Sequence, residues 1–285
     1  MSQGHPELSP TDYKLLLGEL LADLRERAGL DRVAVAKVLK CSKEKIGTIE
    51  RGRTAVNASE LEKLLQLFGV PAQEWPDIEK LADAARRRHP RTPWGAVIPE
   101  PLRKFFRLEE SARALRHYHP EYVHGLAQTE DYARALISAN TALDARDVDR
   151  LVQARMSRQA RLYGPRPIEL SIVMPEAVVR LPVGGSEVMR RQLLHLIELA
   201  DLPNIDIRVL PNTATAYASR GLPFSIYTPT AARRTVVYLD NLIDGVWVDD
   251  EDRVAKYVAA YDQLQGAALP VEDTVKLLAT VALEA

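Results

Sequence analysis

Between residues 89 and 101 the chain reads HPRTPWGAVIPEP, with four prolines and a glycine in one short stretch. Proline has no N–H to give, and it pushes the residue before it out of the helical region. Neither a helix nor a central strand can therefore run through these residues. A linker is expected at 89–101, dividing the chain into domains at residues 11–88 and 102–285. The size allows this, because 285 residues with 46% hydrophobic content suffice for two separate cores. Residues 1–10, MSQGHPELSP, show no periodicity and are expected to form a loose, disordered tail. They lack the basic and apolar regions of an export signal, and nowhere do roughly 18 apolar residues follow one another. A cytoplasmic protein without membrane association is expected. The single cysteine, Cys41, fits a reducing compartment, since it can form neither an internal disulfide nor a Cys-based zinc site.

The two sides of the linker differ in periodicity. Leu16, Leu17, Leu20, Leu21 and Leu24 recur at three- and four-residue spacing and mark one face of a helix ending near Gly29. A short helix follows Asp31, whose carboxylate suits an N-cap, and is expected to bury Val33, Ala36 and Leu39. A third opens at Ser42, buries Ile46 and Ile49, and stops at Gly52. A fourth is expected to be capped by Ser59, and a fifth to run from about Pro76 to Arg88. Beyond the linker, helical segments are expected at about 102–117, 128–140, 144–163, 186–201, 250–265 and 270–283. Strand-like runs lie at 168–174, 204–210, 222–227, 236–239 and 246–248. The expected fold is thus multi-domain: an all-α, five-helix N-terminal domain followed by an α+β (mixed α/β) domain.

Net charge is only -1, but it is unevenly placed. Residues 30–55 hold seven Lys/Arg against three acids, and residues 86–116 hold nine against three, whereas residues 235–285 hold three against ten. Such asymmetry suggests a nucleic-acid surface towards the N-terminal side.

Helices two and three are separated by only Lys40 and Cys41, too few residues for antiparallel packing, so they must cross steeply as a helix-turn-helix. A helix fits the major groove, about 12 Å wide, and the helix before it sets its angle. The stretch GLDRVAVAKVLKCSKEKIGTIERGR resembles the helix-turn-helix of the Cro and lambda-repressor class (XRE-type regulators), above all in KIGTIERGR. The resemblance covers residues 15–70 and implies a lambda-repressor-like domain with double-stranded DNA as partner. It makes the segment from Ser42 to Arg51 the recognition helix, with Lys43, Glu44, Gly47 and Thr48 facing the groove. Lys43 suits guanine, Glu44 suits cytosine N4, Thr48 suits a thymine methyl or a phosphate, and Gly47 would let the backbone approach DNA. The resemblance also places Arg32, Arg51 and Arg53 at backbone contacts, and makes Glu50 a structural residue held by an ion pair or hydrogen bond. Lys40 stands where glycine is usual and must adopt positive φ, at a cost of roughly 1 kcal/mol.

In the second half, Leu108, Glu109 and Ala112, then VHGLAQTEDYAR at 123–134, then Arg155, Arg158, Gln159 and Leu162 are similar to motifs of actinobacterial helix-turn-helix regulators described as WhiJ-like or antitoxin-like. His124 and Ala127 depart from that pattern, which has Pro and Leu there. The resemblance implies a transcription factor often encoded beside a small partner protein. Gln128, Thr129, Asp131, Tyr132 and Arg134 crowd a turn entering a helix, where they suit a ligand or a partner's chain end. The same residues also suit ordinary capping and packing.

No dinucleotide, phosphate-loop, nucleophile-elbow or zinc-protease motif is present, so no catalytic residue, cofactor or metal is expected. His117, His119 and His124 form a sequence cluster, but the segment reads as a helix running into Pro120, which would separate the first two. The expected function is a sequence-specific transcriptional regulator, homodimeric on an inverted-repeat operator, whose C-terminal domain dimerises and senses a partner or ligand. Two alternatives are an antitoxin-like adaptor that sequesters a small partner protein and autoregulates through DNA, and a small-molecule-sensing repressor with an apolar pocket in its second domain.

Overall fold

A computed structural model describes residues 8–88, 100–141, 143–214, 221–230, 234–241 and 245–285. The chain divides into two units. The expected tail up to residue 7 and the expected linker up to residue 99 lie outside the described residues. Among the described residues, no helix is long and apolar enough to cross a membrane.

The first unit consists of helices α1 (Pro10–Arg27), α2 (Arg32–Leu39), α3 (Lys43–Glu50), α4 (Ala58–Leu67) and α5 (Trp75–Arg86). Side-chain caps set their starts. Ser9 and Asp12 form a reciprocal capping box on α1, while Asp31 and Ser42 accept the third backbone N–H of α2 and α3. On α4 the cap is Asn57 and not Ser59, because Glu60 stands three residues after Asn57 and returns the bond. Leu17, Leu21, Ile46, Ile49, Leu61 and Leu65 form the centre of the core. On α2 the fully buried valine is Val35, while Val33 is 42% exposed. Val35, Ala36 and Leu39 share one face at three- and four-residue spacing, and Val33 lies off it. Gly18 lets α1 meet the end of α3 at backbone contact, since a Cβ there would lie 2.6 Å from the Glu50 carbonyl oxygen.

Lys40 has φ 51° and ψ 48°, the left-handed conformation that lets α2 turn into α3 in so few residues. Its backbone N–H donates to the Lys37 carbonyl and that of Cys41 to the Ala36 carbonyl, the two bonds of a Schellman motif. Gly52 ends α3 in the same way at φ 66°, with Gly52 bonded to Ile49 and Arg53 to Thr48. Lys40 is the single non-glycine residue with positive φ among the described residues.

The second unit contains α6 (Glu100–Ser111), β1 (Ala112–Tyr118), α7 (Glu130–Ser138), α8 (Ala145–Arg158), β2 (Glu169–Pro175), α9 (Glu176–Arg180) and α10 (Ser186–Ala200). These are followed by β3 (Ile205–Leu210), β4 (Phe224–Pro229), β5 (Val236–Asp240), β6 (Gly245–Val248), α11 (Glu251–Ala267) and α12 (Val271–Glu284). The sheet order is β3-β2-β1-β4-β5-β6. Strands β1, β2 and β3 run parallel through helical crossovers, and β4, β5 and β6 form an antiparallel meander. Alternation splits the side chains between two cores. Leu115, Ile172 and Ile207 pack with α10 and α12 on one face, and Tyr118, Val173 and Ile226 pack with α11 on the other.

The expected helix at 102–117 ends at Ser111, and residues 112–118 are the strand β1. The run ARALRHY holds good helix formers and no β-branched residue, so its local preference is helical. Pairing with β2, from Ala114 opposite Glu169 to Tyr118 opposite Val173, overrides that preference. We expect Lys40→Gly to raise the stability of the first unit by up to about 1 kcal/mol, since only the turn strain is removed. Urea denaturation of both proteins measures this, and an unchanged or lower midpoint contradicts it.

Candidate nucleic-acid interface and a cavity in the second unit

The side chains of α3 fall into two sets. Ile46 and Ile49 are buried against the core, while Ser42, Lys43 and Glu44 are exposed at its N-terminus. The Glu44 carboxyl is held below its ordinary value, first by its own backbone N–H at the helix start and then by the Ser42 hydroxyl, and is therefore charged. Thr48 is half-buried, and its hydroxyl donates to the Lys45 carbonyl at 2.8 Å. Gly47 is buried, and a Cβ on it would meet the Arg51 guanidinium at 3.0 Å. The side chain of Arg51, and not the Gly47 backbone, thus covers that position. Arg53 is exposed just beyond the helix.

What holds α3 at its angle is Glu50. This residue is 3% exposed, and its carboxylate receives Arg25 Nε at 2.5 Å and Arg32 Nε at 2.7 Å. Arg25 also donates to the Leu30 carbonyl at 2.9 Å. One carboxylate therefore joins α1, α2 and α3. Arg32, expected at a DNA phosphate, is committed here to Glu50 through Nε. Removing one partner of a buried pair strands the other charge, so Glu50→Ala should destabilise the first unit by about 3 kcal/mol or more. A thermal melt monitored by helical circular dichroism measures it; a loss below about 1 kcal/mol would contradict the role.

The five residues marked in the second half all have partners within the unit. Thr129 caps α7 by accepting from the Tyr132 N–H, and the Tyr132 hydroxyl accepts from the Val123 N–H. Asp131 pairs with Arg191, and Arg134 pairs with Asp149 and Glu130, all exposed. Gln128 is 1% exposed and donates to the Val123 carbonyl, while its Oε1 accepts from Arg155 Nη1 at 2.7 Å. Of the five, only Gln128 lines a cavity of about 350 Å³ in this unit.

The cavity opens where β1 ends and β4 begins, since His117 Nδ1 and Ser225 Oγ are 2.8 Å apart. The β1–β2 crossover turns to one side of β1, and β4 lies on the other. This is a change of direction in the strand order of the kind where α/β sheets leave a crevice. The fold brings together histidines that a helix would have separated. The rings of His117 and His119 stack at 6.0 Å, and His124 lies 4.3 Å from His117. His119 Nδ1 accepts from the Glu121 and Tyr122 N–H groups, and His124 Nδ1 accepts from the Leu126 N–H, which places the ring proton of each neutral imidazole on Nε2. The Nε2 atoms of His117 and His124 are buried without a hydrogen-bond partner. Burial drives all three rings to their neutral forms: His119 is lowered to about 4, and His117 and His124 lie well below the ordinary value. Neighbouring rings add to the effect at His117, and Arg158 and Arg155 add to it at His124. No group of three or more His, Cys, Asp or Glu side chains among the described residues is arranged to hold a metal ion.

Two arginines of α8 complete the site. Arg158 grips both oxygens of the 1%-exposed Glu109 at 2.6 Å each. Arg155 has Gln128 as its partner, and no carboxylate among the described residues lies within ion-pair distance of it. Burial, with Arg158 nearby, pulls Arg155 down to about 10. In the sequence Glu109, Arg155 and Arg158 stand at motif positions, whereas Tyr122, Ser225 and Asp240 stand at none. Nothing in their local spacing marks the latter three.

Because the folded unit resists protonating these rings while the unfolded chain takes up protons below about pH 6.5, stability should be full above that pH. It should fall as pH drops towards 4, by on the order of 3 kcal/mol from His119 alone. Melting of the second unit across this range measures it, and His119→Gln should flatten the slope.

Comparison with known families gives two matches. A family described as Domain of unknown function (DUF5753) matches residues 102–280, and one described as Helix-turn-helix domain matches residues 16–77. No curated protein and no solved structure matches the chain.

Proposed function

The chain belongs to the DUF5753 family and carries a helix-turn-helix domain ahead of that region, and from this premise we propose that it is a transcriptional regulator reading DNA sequence with α3 in the major groove. The helix-turn-helix makes it a DNA-binding regulator. The finer reading rests chiefly on one observation: the inner end of α3 is locked through Glu50 to α1 and α2, while Lys43, Glu44 and Arg53 remain exposed. A helix so fixed offers the same side chains in the same pose to every site it meets. In this reading Lys43 and Glu44 meet base edges, Thr48 meets a thymine methyl or a phosphate, and Arg51 and Arg53 meet the backbone. Arg32 has a phosphate role only through the donors that Glu50 leaves unused.

One such domain buries little DNA surface, so the regulator works as a homodimer on an inverted repeat. Half-sites would be about 34 Å apart along the helix axis, or a multiple of that. Once genomic selection has supplied the operator, the double variant Lys43→Ala with Thr48→Ala should lose at least about tenfold in preference for it over random DNA while melting like the parent. Binding by the parent should weaken steeply as salt rises. A footprint unchanged in the double variant would sink the assignment of α3.

A further inference from the structure

The cavity of the second unit has a charge without a counter-charge. Glu109, the one fully buried carboxylate in its neighbourhood among the described residues, is occupied on both oxygens by Arg158. Asp240 is exposed and is engaged by the Tyr122 hydroxyl at 3.2 Å. Arg155 therefore enters the cavity wall with only the neutral Gln128 amide as partner. A half-buried guanidinium costs free energy unless an anion or several acceptors meet it. Beside it, His117 Nε2 and His124 Nε2 are buried without a hydrogen-bond partner; His124 Nε2 lies 4.0 Å from the Glu109 carboxylate, too far for a hydrogen bond, and its tautomer leaves that nitrogen as a donor. An unsatisfied donor beside a cationic group describes the complement of an acceptor-rich, negatively charged head.

The rest of the wall sets the body of such a molecule. Phe106, Leu136, Ile137, Leu143 and Leu151 line the cavity from α6, α7, α8 and the α7–α8 connection. A volume of about 350 Å³ is near the small end of the range of roughly 300–1,000 Å³ for ligand sites. That size suits a small metabolite and is too small for a folded partner or a peptide of any length.

We propose that this cavity binds a small organic anion, a carboxylate or phosphate head on a short apolar body, with Arg155 as its counter-charge. The anionic head lies against Arg155 beside His124, and the body lies against the leucines of α7 and α8. The site is separate from α3, and its occupancy is measured without DNA, so failure of the DNA reading leaves it standing and the reverse also holds.

The test uses the full chain and four probes: benzoate, phenyl phosphate, the neutral isostere benzamide, and the cation benzylamine. Calorimetry and the melting of the second unit report binding. Benzoate, phenyl phosphate or both should bind and raise the melting midpoint, while benzamide and benzylamine should bind at least tenfold more weakly. Arg155→Met should weaken the anion at least tenfold, and Arg155→Lys should weaken it less. Should Arg155→Met fail to fold, Leu151→Trp, which fills the apolar end and leaves Arg155 in place, should abolish anion binding. Binding of benzamide as tight as that of benzoate overturns the proposal. So does anion affinity unchanged in both Arg155→Met and Leu151→Trp, or binding of neither anion.

Discussion

A charge taken out of water must meet a counter-charge, and both units are organised around a buried carboxylate that does so. In the first unit Glu50 lies between Arg25 and Arg32 and ties three helices to one point. Apart from it, α3 is held to the core by Ile46 and Ile49 and to α4 by the ion pair of Lys45 with Glu60. Apolar contacts are non-directional, so they set how close α3 lies but not its rotation. The fork of Arg25 on Glu50 is directional, and it sets the rotation. In the second unit Glu109 takes both nitrogens that Arg158 offers it, which fastens the end of α6 to α8 beside the cavity. The same rule explains why Arg155 stands out, since it is the arginine of this cluster left with a neutral partner.

Close backbone approach is the second constraint. Gly18 admits the carbonyls at the end of α3 at distances no side chain would allow, and Gly52 does the same for the first turns of α1. These two glycines let α1 and α3 cross at contact, so the pairs of Arg25 and Glu50 can form at hydrogen-bond length. Lys40 performs a glycine's task in the turn before α3 and does so under strain, with two Schellman hydrogen bonds offsetting it.

Much of the fold was legible because the signals that start, stop and face a helix act within about four residues. The caps at Asp31, Ser42 and Thr129, the stop at Gly52 and the strands at β2 to β6 follow such signals. Two misreadings were local and small: Val33 for Val35, and Ser59 for Asn57. The misreading of 112–118 was larger, and its cause lies far along the chain. Alanine, leucine and arginine favour a helix locally, and only the pairing with β2, more than 50 residues away, and with β4 on the other side makes the segment a strand. That one change decides the site, because the strand stacks His117 with His119 and brings His117 against Ser225.

The sequence by itself determined the helix-turn-helix, the exposed set at the start of α3, the ion-pairing role of Glu50 and the mixture of strands and helices beyond the proline stretch. Periodicity, caps and turn lengths are written in neighbouring residues. Tertiary structure alone decided that Gln128, His117, His124, Arg155 and Ser225 would share one cavity, and that Asp131 and Arg134 would pair with Arg191 and Asp149. Those outcomes depend on contacts between residues tens to more than a hundred positions apart. Burial then sets the charge each group carries, and no local pattern records it.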